Sequence, residues 1–234
     1  MGLVPPEDIK MTEKKPPSGI WIAFEGGDGC GKSTIMKDYA EHLRQEGFDV
    51  VETREPGGTQ FSEQLRGMIF NPEIKDDPRT QLLLFTAARR RNILKTVLPA
   101  WENGQIVLSD RSEGSSYIYQ HYQFGLSLDE VRRVNEFSTE GIRPTTTVLL
   151  DVDVGVGKKR AAAAKGVELN HFDKADLLAL MKRRNGYLDW ARQQTNWLVI
   201  DANQLKDKVL ADVISDINRL GVFDEKTRTK NRYV

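Results

Sequence analysis

Gly26-Gly27-Asp28-Gly29-Cys30-Gly31-Lys32-Ser33 is the stretch on which the reading of this chain turns. It matches the phosphate-loop pattern G-x-x-x-x-G-K-[ST] in full, after an apolar run at residues 20–25 and before a segment of helical period at 32–46. Glycines let the backbone bend until successive N–H groups converge on phosphate oxygens, and the following helix adds its positive N-terminal end. Gly26 to Thr34 are therefore expected to cradle a nucleotide's phosphates, with Lys32 reaching the outer phosphates and Ser33 holding Mg2+. A glycine-rich turn that ends in Lys-Ser by coincidence is the bland alternative; the strand before and helix after argue against it. Cys30 reads as a small residue filling a loop position and is assigned no chemistry.

Outward from the loop, short apolar runs alternate with longer segments of helical period, the pattern of a parallel sheet covered on both faces. Strands are expected at 20–25, 49–53, 106–109, 146–151 and 197–201. Helices are expected at 32–46, 59–70, 80–97, 115–123, 127–141, 154–164, 174–194 and 206–220. Ser127 followed by Glu130 has the form of a capping box. The fold class is α/β, a three-layer P-loop domain with about five parallel strands flanked by helices. One domain over 19–221 is expected, between a flexible polar extension at 1–18 and a polar tail at 222–234.

Composition excludes more than it asserts. The 234 residues carry 34 basic and 34 acidic side chains, so bulk charge gives no reason to invoke nucleic acid or a membrane surface. The single cysteine cannot form an intrachain disulfide, and no run approaches the roughly 18 apolar residues of a membrane span. With no signal-peptide or transit-peptide character at the start, the expected location is the reducing cytoplasm. None of the three histidines is assigned a catalytic role: His42 and His121 default to packed or solvated imidazoles, and His171 falls in the lid region.

A phosphate loop alone leaves ATPases, GTPases, kinases and switches open. Asp110-Arg111 narrows the field, because the pair ends the third apolar run, at the strand edge where ligands of such sheets bind. A carboxylate there positions Mg2+ and an adjacent arginine grips phosphate bidentately. Away from a strand end the same dipeptide would be a helix cap beside a surface charge. Phe85 and Arg89 fall on one helix face, where a ring stacks on a base and a guanidinium reaches its edge; taken alone they are equally a core ring and a surface cation. Ser116, Tyr119 and Gln120 likewise share one face, presenting two polar groups and a ring, as a polar surface helix also would.

Four ordered motifs together resemble the thymidylate kinase family over nearly everything from Ile20 to Leu220. They are Phe24-Glu25 with the loop through Thr34, Thr53-Arg54-Glu55-Pro56-Gly57-Gly58-Thr59, Leu82-Leu83-Leu84-Phe85-Thr86-Ala87-Ala88-Arg89, and Asp110-Arg111 with Ser115-Ser116 and Tyr119-Gln120. The resemblance implies a nucleoside monophosphate kinase of nucleotide biosynthesis, with ATP and Mg2+ as donor system, dTMP as acceptor, and a homodimer. It implies that Ser116 and Gln120 bond the pyrimidine and that Tyr119 closes the sugar's 2′ side. Arg66 and Arg111 would hold the acceptor phosphate, Asp28 would meet the 3′-hydroxyl, and Glu55 would lie near the phosphate and its Mg2+ with Ser33 and Asp110.

The sequence also departs from that family. Gly29 occupies the loop position where one branch carries a catalytic arginine, so a lid should supply the cation, yet residues 160–173 offer only Arg160 and Lys165 as strong cations, with Lys159 just before them. Asn170-His171-Phe172-Asp173 stands in place of an Asp-Arg-Ile-Glu-like segment, and Ile118 where a small alanine is usual, which would alter the pocket wall. Lys32, Arg111, Arg160 and Lys165 are the expected catalytic residues, with His171 a distant third for the lid. Two rival functions stay open at this point: a kinase for another deoxypyrimidine monophosphate such as a 5-substituted dUMP, and a catalytically silent nucleotide-binding regulator.

Overall fold

The computed structural model describes residues 19–164, 166 and 174–223. Five parallel strands, β1 (Ile20–Glu25), β2 (Val50–Arg54), β3 (Ile106–Asp110), β4 (Thr146–Asp151) and β5 (Trp197–Asp201), form one sheet in the order β2-β3-β1-β4-β5. Helices α1 (Lys32–Gln45) and α9 (Lys206–Arg219) cover one face. Helices α3 (Pro78–Asn92), α6 (Leu128–Thr139) and α8 (Lys174–Arg192) cover the other. Helices α2 (Gln60–Ile69), α4 (Leu98–Glu102), α5 (Glu113–Ser116) and α7 (Val154–Ala164) complete the set among the described residues.

β1 lies at the centre of the sheet, and its continuous burial follows from helices on both faces. Its side chains divide with period two. Ile20, Ile22 and Phe24 join Ile35, Tyr39 and Leu43 of α1 and Val213 and Ile217 of α9, while Trp21 joins Ile93, Val97 and Trp101 on the opposite face. The expected strands appear within a residue at either end. The small difference at β3 matters, because Asp110 closes that strand in register with Phe24 of β1 and Arg54 of β2.

The Ser127 capping box forms as expected, with Ser127 accepting from the Glu130 N–H and Glu130 accepting from the Ser127 N–H. Two helical stretches differ from expectation. The long segment at 80–97 begins earlier, at Pro78 under an Asp77 cap, and relaxes into a wider π turn at Ile93–Val97 before α4. The segment at 115–123 is a short α turn followed by a π-helical stretch, Tyr117–Gln123. Such widened turns re-aim side chains and occur often at functional sites. Val222 and Phe223 pack on the core, Phe223 against Phe48, so packed chain extends beyond 221. The extension at 1–18 and most of the tail lie outside the described residues.

Candidate active site

All five strands deliver their carboxyl ends to the same edge, and the phosphate loop leaves β1 there. The glycines are required by the path. Gly26 and Gly29 have φ of 142° and 76°, and Gly31, which precedes α1, has φ of 90°. A Cβ on Gly29 would lie 1.9 Å from the Gly157 carbonyl oxygen at the start of α7, so no larger residue fits. Lys32 folds back to donate to the carbonyls of Gly26 (3.0 Å) and Gly27 (3.2 Å), which keeps the ammonium at the mouth of the loop. Cys30 is buried beside it, a packing role.

Ser33 and Asp110 come together from α1 and β3: the Ser33 hydroxyl donates to Asp110 Oδ2 at 2.6 Å. No cluster of three or more His, Cys, Asp or Glu suited to a metal is present among the described residues. A hydroxyl and one carboxylate nonetheless fit Mg2+, which keeps several waters and takes the rest of its shell from substrate phosphates. Glu55 stands apart from this pair. It is buried, its Oε2 accepts from Arg89 Nε at 2.7 Å, and its backbone N–H donates to the Asp110 carbonyl. Burial raises the Glu55 carboxyl above its usual range, and Arg89 and Asn92 offset part of that rise.

Arg111 follows in the left-handed backbone region, at φ 74°, an unusual conformation for a residue with a side chain. Its N–H bonds the Phe24 carbonyl, and its guanidinium bonds Ser115 Oγ (3.1 Å) and Tyr187 OH (2.9 Å) while lying 3.5 Å from Asp28. Burial works against this charge, but Tyr187, Tyr119, Glu25 and Asp110 outweigh it, and Arg111 stays firmly cationic. The hub beneath is Glu25. Its buried carboxylate accepts from the N–H groups of Ser112 and Ser115, from Ser115 Oγ and from Tyr187 OH, and lies 3.7 Å from Arg111. No role was foreseen for Glu25 or Tyr187. The available signal was a carboxylate at the end of an otherwise apolar strand, a placement that burial makes costly unless several donors meet it.

Beside Arg111 opens a cavity of about 480 Å³ that collects most of the expected acceptor residues. Phe85, Ser116, Tyr119 and Gln120 line it together with Asp28, Glu55, Arg66 and Arg111. Arg66 is held by the Pro56 carbonyl at 2.9 Å and by the Phe70 ring. Burial lowers the Arg66 pKa, as does the nearby Arg54 charge. Gln120 is buried, and its Nε2 has no hydrogen-bond partner, an orphan amide at the cavity wall.

Two expected residues face elsewhere. Arg89 does not line the cavity: it is 1% exposed and bonds Glu55, Ser116, Asn135 and the Ser112 carbonyl, so it fixes Ser116 from behind. Ile118, expected to alter the pocket wall, is instead fully buried in the core with Leu82, Val131, Tyr187 and Trp190. The helical twist that sends Ser116 and Gln120 to the cavity turns Ile118 toward the sheet.

On the far side of Asp28 a second cavity, of about 360 Å³, lies between Gly27, Lys158 and Ala161 of the loop and α7, and Arg183, Arg184 and Tyr187 of α8. Arg184 bonds both oxygens of Asp151 and also Asp153, fastening α8 to the end of β4. Arg160 projects from α7 to the carbonyls of Ala202 (2.7 Å) and Asn203. Lys165 and Asn170-His171-Phe172-Asp173 lie outside the described residues.

Comparison with known proteins agrees with this geometry. The family model described as thymidylate kinase matches residues 24–213. A thymidylate kinase of Oceanobacillus iheyensis is 42% identical over 219 residues, covering 93% of this chain and 96% of the relative. A Geobacillus thymidylate kinase is 40% identical over 201 residues, covering 85% and 96%. Among solved structures, the crystal structure of thymidylate kinase from Ehrlichia chaffeensis superposes with a TM-score of 0.68 at 29% identity, covering 86% of this chain and 99% of that one.

Proposed function

The chain belongs to the thymidylate kinase family and is a nucleoside monophosphate kinase that phosphorylates dTMP to dTDP, and from that premise we propose how its cleft holds the two nucleotides. The donor is ATP, with its phosphates in the loop of Gly26 to Thr34 and the Lys32 ammonium released from the loop carbonyls onto the outer phosphates. Ser33 and Asp110 would hold Mg2+, while Glu55 stays paired with Arg89 apart from them. Bound there, Mg2+ neutralises charge on the donor phosphates.

The acceptor dTMP occupies the cavity of about 480 Å³. The observation that carries this reading is the unpartnered Gln120 amide, buried in the wall of the cavity that Phe85, Arg66 and Arg111 also line. An orphan amide costs stability unless a ligand completes it, and a pyrimidine edge does so while Phe85 stacks on the ring. Arg89 acts on the base through Ser116, whose hydroxyl accepts from Arg89 at 3.2 Å. Arg66 and Arg111 take the acceptor phosphate, Asp28 the 3′-hydroxyl, and Tyr119 disfavours a 2′-hydroxyl by leaving it no partner. No proton need be abstracted, because the acceptor phosphate is already ionised and catalysis is positioning and charge neutralisation. Further charge over the transferring group comes from the lid side, where Arg160 or Lys165 is the expected source; Arg160 must leave its carbonyls to serve.

We further propose a cytoplasmic homodimer. No helix among the described residues is long and apolar enough to cross a membrane, and Phe61, Leu83 and Phe137 are exposed on the packed helices α2, α3 and α6. ADP release measured over a panel of monophosphates tests the substrate reading. It should favour dTMP over dCMP, dGMP and UMP; equal rates with purine monophosphates would refute the assignment of the base site.

A further inference from the structure

The arginines around the cleft are almost all engaged by protein acceptors. Arg66 is on the Pro56 carbonyl, Arg111 on Ser115 and Tyr187, Arg160 on Ala202 and Asn203, and Arg184 on Asp151. Arg183 differs. Its Nε is buried without a hydrogen-bond partner, and its guanidinium makes no ion pair with any described residue. The guanidinium carbon lies 5.4 Å from the centroid of the Tyr119 ring, the same ring that Arg111 faces at 5.4 Å. Two cations converging on one ring repel each other, and an anion between them turns that cost into an attraction.

The location is as specific as the lack of partners. Arg183 and Asp28 are the described residues that line both cavities, so Arg183 stands where the loop side meets the acceptor side. The loop cannot supply a cationic side chain at Gly29, because the Gly157 carbonyl closes that position. A charge over the group in transit must come from another element, and α8 presents one.

We propose that Arg183 is a further catalytic cation of dTMP phosphorylation, gripping oxygens of the phosphoryl group as it passes from the loop to the acceptor phosphate. The inference rests on the reading that places ATP in the loop and dTMP in the larger cavity. In the step itself, an oxygen of the ionised acceptor phosphate forms a bond to the terminal phosphorus of ATP while the bond from that phosphorus to the bridging oxygen breaks. The electron pair of the broken bond leaves with ADP, and no proton is transferred. Charge spreads over the equatorial oxygens in the transition state, and a planar guanidinium bridges two of them where a lysine cannot. The Tyr119 face holds the cation in place without consuming its N–H donors.

The test is Arg183→Ala and Arg183→Lys in the full chain, assayed for turnover and for the KM of ATP and dTMP separately, with thermal unfolding alongside. Alanine suits the middle of α8, so the melting temperature should stay near wild type. Turnover of Arg183→Ala should fall on the order of a thousandfold while each KM moves by less than about fivefold. Lysine should recover little of the loss, and free guanidinium ion should restore part of the Arg183→Ala activity without accelerating wild type. Turnover within about threefold of wild type overturns the proposal. So does a loss that guanidinium fails to rescue and that accompanies a lowered melting temperature, the mark of a structural role. The underlying site reading is scored separately by the dTMP KM of Gln120→Leu: an unchanged KM refutes the acceptor cavity, whereas an unaffected Arg183→Ala alone refutes only Arg183.

Discussion

Replacing Glu25 by Gln exchanges one carboxylate oxygen for an amide nitrogen and removes a buried negative charge at nearly constant shape. In the wild type Oε1 accepts from the N–H groups of Ser112 (3.0 Å) and Ser115 (2.9 Å), and the amide oxygen of the variant can keep both. At Oε2 an NH2 would face the Ser115 hydroxyl (2.8 Å) and the Tyr187 hydroxyl (2.9 Å), each of which must turn from donor to acceptor. Hydrogen bonds to a charged group contribute about 1.5–3 kcal/mol and neutral ones about 0.5–1.5, so downgrading these contacts costs roughly 1 kcal/mol each. Rotation of the hydroxyls recovers part of that, and the loss of a countercharge 3.7 Å from Arg111 adds to it. The expected destabilisation is about 3 kcal/mol, or roughly 6–12 °C in melting temperature for a chain of this size. Urea unfolding read by tryptophan fluorescence measures it. Arg111 also loses an anchor at the acceptor phosphate, so kcat/KM for dTMP should drop about tenfold or more while the KM for ATP changes little. A loss of stability below about 1 kcal/mol would refute the view that this carboxylate organises the site.

Lys32→Ala should cut turnover by on the order of a thousandfold, with the melting temperature little changed because the Lys32 ammonium bonds only groups of its own loop, the Gly26 and Gly27 carbonyls and Cys30 Sγ; wild-type-like turnover would sink the loop assignment. Gln120→Leu should raise the KM for dTMP at least about tenfold and leave that for ATP alone, as steady-state kinetics with each substrate varied will show. The Glu130 carboxyl is held down to about 2 by its hydrogen bond with Arg79 and by the Ser127 cap. Because its folded pKa is depressed, its contribution is present above its ordinary value near 4.5 and is lost as pH falls from there toward about 2. The stability gap between wild type and Glu130→Gln should therefore be widest near neutral pH and close toward pH 2; a gap independent of pH would contradict the linkage.

The sequence by itself determined the parts whose physics is local. The loop of Gly26 to Ser33 was legible because only glycines adopt those backbone angles and only a lysine and a hydroxyl serve those ligands. β1 was legible as a continuous apolar run, and the Ser127 cap as a Ser-x-x-Glu pattern. Tertiary structure alone decided which way the helical side chains face and which distant groups meet. Ile118 went to the core and Arg89 behind Ser116, because packing against β4 and α6, rather than spacing, sets the rotation of those helices. Glu25 and Tyr187 meet across 162 positions, and Arg183 reaches the Tyr119 ring from another helix. A buried charge shows in the sequence only as an oddity. Its partners are fixed when the sheet and its covering helices close around it, since only then does desolvation make each unpaired donor and acceptor costly.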